Sequence, residues 1–183
     1  MKVIIAPGNG CTNILRSNWY GQLHSDLKAS GITSICETFP DPFEAKRSIW
    51  IPHIESLGAN EETILVGHSS GAQAALRYAE SHKLKAVILV AATYTDLGDA
   101  GERASGYYPD ADGKNEYKFS EMRANCGIWH QFHSDDDPFI PLAEAEQIRH
   151  GLGLNDDEYH MLPGRSHFFE PFSELLETIK SIT

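Results

Sequence analysis

The sequence predicts an α/β fold: a mostly parallel central sheet of about six strands flanked by helices, with residues 1–183 forming one domain. Three observations carry this expectation. Short apolar, β-rich runs alternate with longer segments of helical period along the whole chain, as βαβ units require. The runs are continuously apolar rather than alternating, which suits strands buried on both faces. A chain of 183 residues can bury one substantial core but not two comfortable ones.

The elements follow in order. Residues 3–6, VIIA, form the first strand, stopped by Pro7 and Gly8. Ser17 is the expected cap of the first helix, whose Trp19, Leu23 and Leu27 recur at i, i+4 and i+8, and Gly31 ends it. Residues 32–39 make a second strand. A helix opens after Pro42, a residue suited to a first helical turn, and carries Ala45 and Ile49. Residues 63–66 make a third strand, and a helix begins after Ser69 in SGAQAALRYAESH. A strand over 86–91 leads into a long polar, glycine-rich stretch with tyrosines, residues 93–117. Such loops in compact domains usually serve function, and this one is read as a flap over a site. A helix near Phe119–Asn125, a strand over 127–132, a helix after Pro141 and a strand over 158–162 follow. The last helix places Phe172, Leu175, Leu176, Ile179 and Ile182 on one face.

Composition excludes several classes. The net charge of −11 opposes binding to a phosphate backbone, so no nucleic-acid partner is expected. Cys11, Cys36 and Cys126 are odd in number and widely spaced, unlike a secreted disulfide framework or a zinc ribbon. The N-terminal apolar run is too short for a signal-peptide core, and no stretch approaches a membrane span. The expected setting is cytoplasmic and reducing, without a membrane partner.

The chemistry concentrates in Gly67-His68-Ser69-Ser70-Gly71, a G-x-S-x-G pattern between a predicted strand and a predicted helix. In that setting the central serine sits on a strained strand-to-helix turn that pushes its hydroxyl outward. The glycines allow neighbouring backbones to approach. Ser69 is the candidate nucleophile, and the Ser70 N–H lies in the helix's first turn, where it carries partial positive charge. The competing reading is a serine N-cap in a tight turn. A nucleophilic serine needs a base, and the base an orienting acid. His167 stands just past the last predicted strand, and Asp135, Asp136 and Asp137 stand just past another. The loop at Asn9 follows the first strand. In a parallel sheet these strand ends share one edge, where α/β folds bind ligands. Of the three aspartates, Asp137 has its backbone best fixed, because Pro138 follows it; Asp136 is second. Gly10, Trp19, Trp50, Tyr94 and Phe139 are candidate pocket residues, with core packing the competing role for Trp19 and Trp50.

Two rival constellations are weaker. PGNGCTN half-matches a dinucleotide fingerprint, with Glu37 as ribose acid, but Asn13 stands where Gly or Ala is needed for helix packing. His130 and His133 are three apart in a strand and face opposite sides, so they do not chelate together. No metal or cofactor is expected.

The segments APGNG, WYG, PDP, SIW, ILVGHSSGAQAALRYAESH, DLGD with ERASGYY, ANC, DDPFIP and SHF occur in one order across the whole chain. In them the sequence resembles the small α/β-hydrolase-fold serine hydrolases that include retinoblastoma-binding protein nine. The resemblance implies a compact hydrolase fold with little or no cap, a Ser69–Asp137–His167 triad, and oxyanion donors in the backbone N–H groups of Asn9 and Ser70. It implies an acyl-enzyme route on a small ester, thioester or amide. The alternative is a non-catalytic interaction module on the same fold. The family's L-x-C-x-E element reads LGANE here, Leu57 to Glu61, without its cysteine, so retinoblastoma-type binding is not expected. Ser166 stands before His167 where the family has glycine.

Overall fold

The computed structural model describes residues 1–110 and 112–183. In chain order the elements are β1 (Lys2–Ala6), a 3₁₀ turn (Ile14–Arg16), α1 (Tyr20–Ala29), β2 (Ser34–Ile35), α2 (Arg47–Ser56), β3 (Thr63–His68) and α3 (Ser70–Ala79). There follow β4 (Ala86–Val90), α4 (Ala100–Ser105), α5 (Phe119–Asn125), β5 (Ile128–Ser134), α6 (Leu142–Leu152), β6 (Tyr159–Leu162) and α7 (Ser173–Ile182). The six strands form one sheet in the order β2-β1-β3-β4-β5-β6, and every neighbouring pair is parallel.

Continuous apolar strands serve two layers at once. Val3 and Ile5 of β1 pack into one layer with Leu23 and Leu27 of α1 and Leu175 and Ile179 of α7. Ile4 and Ala6 pack into the other, with Trp50 and Ile54 of α2 and Ile148 of α6. β4 divides in the same way, Val87 and Leu89 to one layer, Ile88 and Val90 to the other. Each fully buried aliphatic side chain contributes roughly 1.5–3 kcal/mol. Central α3 is buried along its entire length.

The strand order places the site. From β1 the chain moves outward to β2 on one side, and β3 then lies on the other. Such a reversal opens a crevice at the carboxyl ends of the two strands. Here it lies between the loop after β1, residues 7–10, and the junction of β3 with α3 at Ser69.

Several local expectations change. The second strand shrinks to Ser34–Ile35, a short edge. Ser17 does not cap α1: its hydroxyl donates to Asn13 O, and Trp19 is the residue before the helix. The helix expected after Pro42 starts later, at Arg47, because Asp41 and Ala45 take positive φ and make a turn first. Its buried face is Trp50 and Ile54, while Ile49 is exposed.

Residues 93–117 are not structureless, although Ala111 lies outside the described residues. The stretch contains α4, capped by Asp99 through the Gly101 and Glu102 N–H groups, and it buries Tyr107, Tyr108 and Tyr117. Buried Arg77 of α3 holds it from below. The guanidinium donates to the carbonyls of Tyr107 (2.6 Å), Asn115 (2.6 Å) and Glu116 (3.1 Å) and lies over the Tyr117 ring. At the other end Glu144 of α6 accepts from the Tyr94 and Thr95 N–H groups and the Thr93 hydroxyl. Among the described residues no helix is long and apolar enough to cross a membrane.

Candidate active site

β3 runs two residues past its predicted end, to His68, and delivers Ser69 directly at the sheet edge. Ser69 has φ 54° and ψ −119°, a strained conformation for a residue with a Cβ. Its N–H is tied to Val90 O (2.9 Å) and its carbonyl accepts from Ala72 N–H (2.9 Å), so the turn is held from both sides. Ser70 N–H belongs to the first turn of α3, where helix donors lack intrahelical acceptors.

The loop after β5 assigns a separate task to each aspartate. Asp135 Oδ1 accepts from Gly164 N–H at 2.9 Å. Asp136 Oδ1 accepts from Ser166 N–H and from the Ser134 hydroxyl, both at 2.7 Å. Asp137 Oδ2 pairs with His167 Nδ1 at 2.8 Å, while its Oδ1 accepts the Phe139 and Ile140 N–H groups at 2.9 and 3.1 Å. The first two aspartates thus brace the loop that carries His167, and the third meets its ring. Burial works to raise the Asp137 carboxyl, but the His167 bond and charge and the two N–H groups outweigh it and hold the group below the usual range.

Ser166 and Phe168, on either side of His167, have φ 50° and 53°. A glycine before the histidine would take such a φ without strain. Here Ser166 takes it, held by the Asp136 bond.

Ser69 and His167 line one cleft of about 330 Å³, together with Gly8 and Asn9 from the loop after β1. Its rim is apolar: Leu97, Phe139 and Phe169 are all exposed, and the two phenylalanine rings stand 5.2 and 5.6 Å from the His167 ring. The Asn9 N–H lies between two anchored neighbours, as Gly8 N–H donates to Tyr20 Oη (2.9 Å) and Gly10 N–H to Pro42 O (2.6 Å).

Among the named pocket candidates only Phe139 lines this cleft. Trp19 is buried against Tyr20, His68 and Phe172, behind the site. Trp50 packs on Phe39 and donates its indole N–H to Pro40 O, in the layer under α2. Gly10, at φ 75°, does not line the cleft, and Tyr94 lies within the 93–117 stretch, tilted against the Tyr117 ring at 5.3 Å. His130 and His133 take different partners, His160 and Ile140 O.

Three residues take places at the site that the sequence does not indicate. Glu102 of α4 is the one formally charged side chain in the cleft lining among the described residues. Its carboxylate accepts from Tyr108 Oη (2.7 Å) and Asn9 Nδ2 (3.3 Å). Tyr20 and His68 lie beneath the serine, where Tyr20 Oη and His68 Nδ1 are 2.6 Å apart. The only sequence signal for His68 was its place inside the serine motif. Tyr20 and Glu102 depend on contacts to residues far away in the chain.

Comparison with known proteins gives a consistent picture. Residues 3–169 match the family model described as serine hydrolase. The chain is 40% identical over 184 residues to serine hydrolase RBBP9 of Rattus norvegicus, covering 99% of this chain and 95% of the relative. Among solved structures, the ydeN gene product of B. subtilis matches with TM-score 0.82 at 19% identity, over 99% of this chain and 97% of that one. A monoacylglycerol lipase of Paleococcus ferrophilus matches with TM-score 0.69 at 15% identity, over 99% and 94%. At those identities the structural matches speak for the fold alone, an α/β-hydrolase fold.

Proposed function

The chain belongs to the serine hydrolase family, and we propose that it cleaves a small ester, thioester or amide through Ser69, His167 and Asp137. One observation carries the assignment of residues: the 2.8 Å bond between His167 Nδ1 and the buried Asp137 carboxylate, at the same cleft as a serine in a strained turn.

With Asp137 Oδ2 accepting from Nδ1–H, His167 presents an unprotonated Nε2. That nitrogen takes the Ser69 proton as Oγ attacks the substrate carbonyl. Asp137 stabilises the imidazolium. The oxygen of the tetrahedral intermediate takes up negative charge and accepts from the Asn9 and Ser70 N–H groups. The imidazolium then protonates the leaving group, and the acyl-enzyme forms. Water repeats the attack with His167 again as base, releasing the acid and restoring Ser69. Among the described hydrogen bonds none is made by the Ser69 hydroxyl. Catalytic bonds of this kind commonly tighten only when substrate is bound.

A fluorophosphonate probe tests the reading, because it reacts only with an activated serine. Labelling of the wild-type protein and none of Ser69→Ala is expected. Equal labelling of both would reject the assignment.

The cleft also sets a charge preference. Glu102 faces the same space as the reacting groups and has no ion-pair partner among the described residues. An acyl or alcohol group bearing a carboxylate is repelled there. Glu102→Gln removes the charge: its amide oxygen can still accept from Asn9 Nδ2, and its NH₂ then donates to Tyr108 Oη, whose hydroxyl must turn to accept. It is expected to raise kcat/KM for carboxylate-bearing esters by about three- to tenfold, since the partly exposed site is screened, and to leave neutral esters nearly unchanged. Paired assays on a neutral ester and its carboxylate analogue check this.

A further inference from the structure

The loops on either side of Ser69 are joined underneath it. Gly8 N–H donates to Tyr20 Oη at 2.9 Å, and Tyr20 Oη lies 2.6 Å from His68 Nδ1. His68 Nε2 lies 2.9 Å from the backbone oxygen of His167. The direction of each bond follows from chemistry. A carbonyl oxygen only accepts, so His68 Nε2 carries the proton. In the neutral ring Nδ1 is then bare and accepts the Tyr20 O–H. Gly8 N–H and Asn18 Nδ2 (3.1 Å) occupy the acceptor positions on the phenol oxygen, which leaves its hydrogen free for His68.

We propose that Tyr20 and His68 are positioning residues for catalysis: a buried strut, Gly8 N–H to Tyr20 O–H to His68 to His167 O, that sets the loop carrying the Asn9 N–H and the loop carrying the His167 ring at fixed positions around Ser69. This rests on the reading of Ser69, His167 and Asp137 as the catalytic residues and extends it to what holds them.

Three observations favour positioning over plain packing. The loop after β6 carries two strained left-handed residues, Ser166 and Phe168; Asp135 and Asp136 brace it ahead of the ring, and the His167 carbonyl between the two strained residues is the atom the strut grips. The loop after β1 has no slack: a Cβ on Gly8 would stand 3.3 Å from Ser69 Cβ and 3.6 Å from both His68 Nδ1 and Tyr20 Oη. The strut is also dry. His68 is 1% exposed and Tyr20 0%, and the buried Trp19 ring packs edge-on against both. A leucine and a phenylalanine would fill such a space without burying polar groups.

Neutrality of His68 is part of the device. Burial pushes it down to about 3. Its ring centroid is 5.0 Å from that of His167, so a charge there would oppose formation of the catalytic imidazolium.

The test compares Tyr20→Phe, His68→Leu and His68→Gln on p-nitrophenyl acetate and a fluorophosphonate, with melting curves to establish that each is folded. Tyr20→Phe and His68→Leu are expected to lower kcat by about tenfold to a hundredfold with KM within about twofold, the scale of a misplaced reacting group. Fluorophosphonate labelling should slow in proportion. His68→Gln, whose amide can accept from Tyr20 and donate to the His167 carbonyl, is expected to recover much of the loss seen in His68→Leu. Nitrogen NMR of the wild-type protein is expected to show His68 as the neutral Nε2–H tautomer from about pH 5 to about pH 9. This last readout does not depend on a variant folding. Unchanged kcat in folded Tyr20→Phe, equal loss in His68→Gln and His68→Leu, or an Nδ1–H or cationic His68 would each overturn the strut. Ser69→Ala separates the two ideas. If it keeps wild-type activity, the catalytic reading fails and the strut with it. If it is inactive while Tyr20→Phe is fully active, only the strut fails.

Discussion

Asp137→Asn is expected to lower kcat by about 10⁴-fold, the loss typical when a triad carboxylate becomes an amide, while Asp136→Asn keeps kcat within about fivefold of wild type. The reason lies in the two oxygens of Asp137. Oδ1 is fixed by the Phe139 and Ile140 N–H groups, and only an oxygen can accept them. In the asparagine variant the amide oxygen must therefore stay there, and the NH₂ group takes the place of Oδ2, facing His167 Nδ1. A donor at that position requires Nδ1 to accept, so the ring proton moves to Nε2. The nitrogen that should receive the Ser69 proton is then already occupied. Asp136 has no such contact. Its Oδ1 accepts from Ser166 N–H and the Ser134 hydroxyl, and an asparagine oxygen can do the same. Steady-state rates on a neutral ester, with melting temperatures for both variants, decide the matter. A larger loss in Asp136→Asn than in Asp137→Asn would reverse the assignment of the acid.

The same residues show what the sequence could and could not convey. The parallel sheet was legible because burial on both faces leaves a local mark in the central strands, VIIA at 3–6, ILV at 64–66 and AVILVA at 86–91, and parallel order then brings every strand's carboxyl end to one edge. That is why Asn9, Ser69, Asp137 and His167 could be named without coordinates. The preference for Asp137 came from Pro138, which straightens the backbone just before the Phe139 and Ile140 N–H groups that hold the carboxylate. The pocket aromatics were not legible. Trp19 lies near the loop after β1 in sequence, but its direction depends on how α1 packs, and α1 turns it towards Phe172. The opening of α2 was misplaced because Pro42 suits a tight turn as well as a helix start, and the turn at Asp41–Ala45 took precedence, with Ala45 N–H donating to Asp41 O. Residues 93–117 looked like an open loop because the group that orders them, Arg77, belongs to a distant helix. Its bonds reach 30 to 39 residues along the chain, beyond any local pattern.

Gly71→Ala is expected to be among the most damaging single-methyl changes in the chain. A Cβ there would lie 2.2 Å from Ala6 O and 2.5 Å from Pro7 O. Both are backbone atoms where β1 ends, at Ala6, which pairs with Gly67 of β3, so they have little room to yield. α3 cannot yield either, since all of it is buried between the sheet and its neighbours. Gly67 faces the same constraint from β3, where a Cβ would stand 2.3 Å from Gly71 O. The two glycines of the serine motif thus let the start of α3 press against β1 and β3. Overpacking at such a site costs about 3 kcal/mol or more, which for a chain of this size lowers the melting temperature by roughly 6–12 °C. Activity should fall further than stability alone explains. Any outward shift of α3 carries Ser69 and the Ser70 N–H with it, and a displacement of about 1 Å costs on the order of a hundredfold in rate. Gly127→Ala is the control: a Cβ there meets nothing within 4 Å and the backbone is not left-handed, so its stability should stay within about 0.5 kcal/mol of wild type. Calorimetry and esterase assays on the two variants separate the outcomes. Ser69→Ala should lose activity with its fold intact, whereas Gly71→Ala should lose both. If Gly71→Ala melts and turns over as wild type does, the close approach of α3 to β1 is not what places the nucleophile.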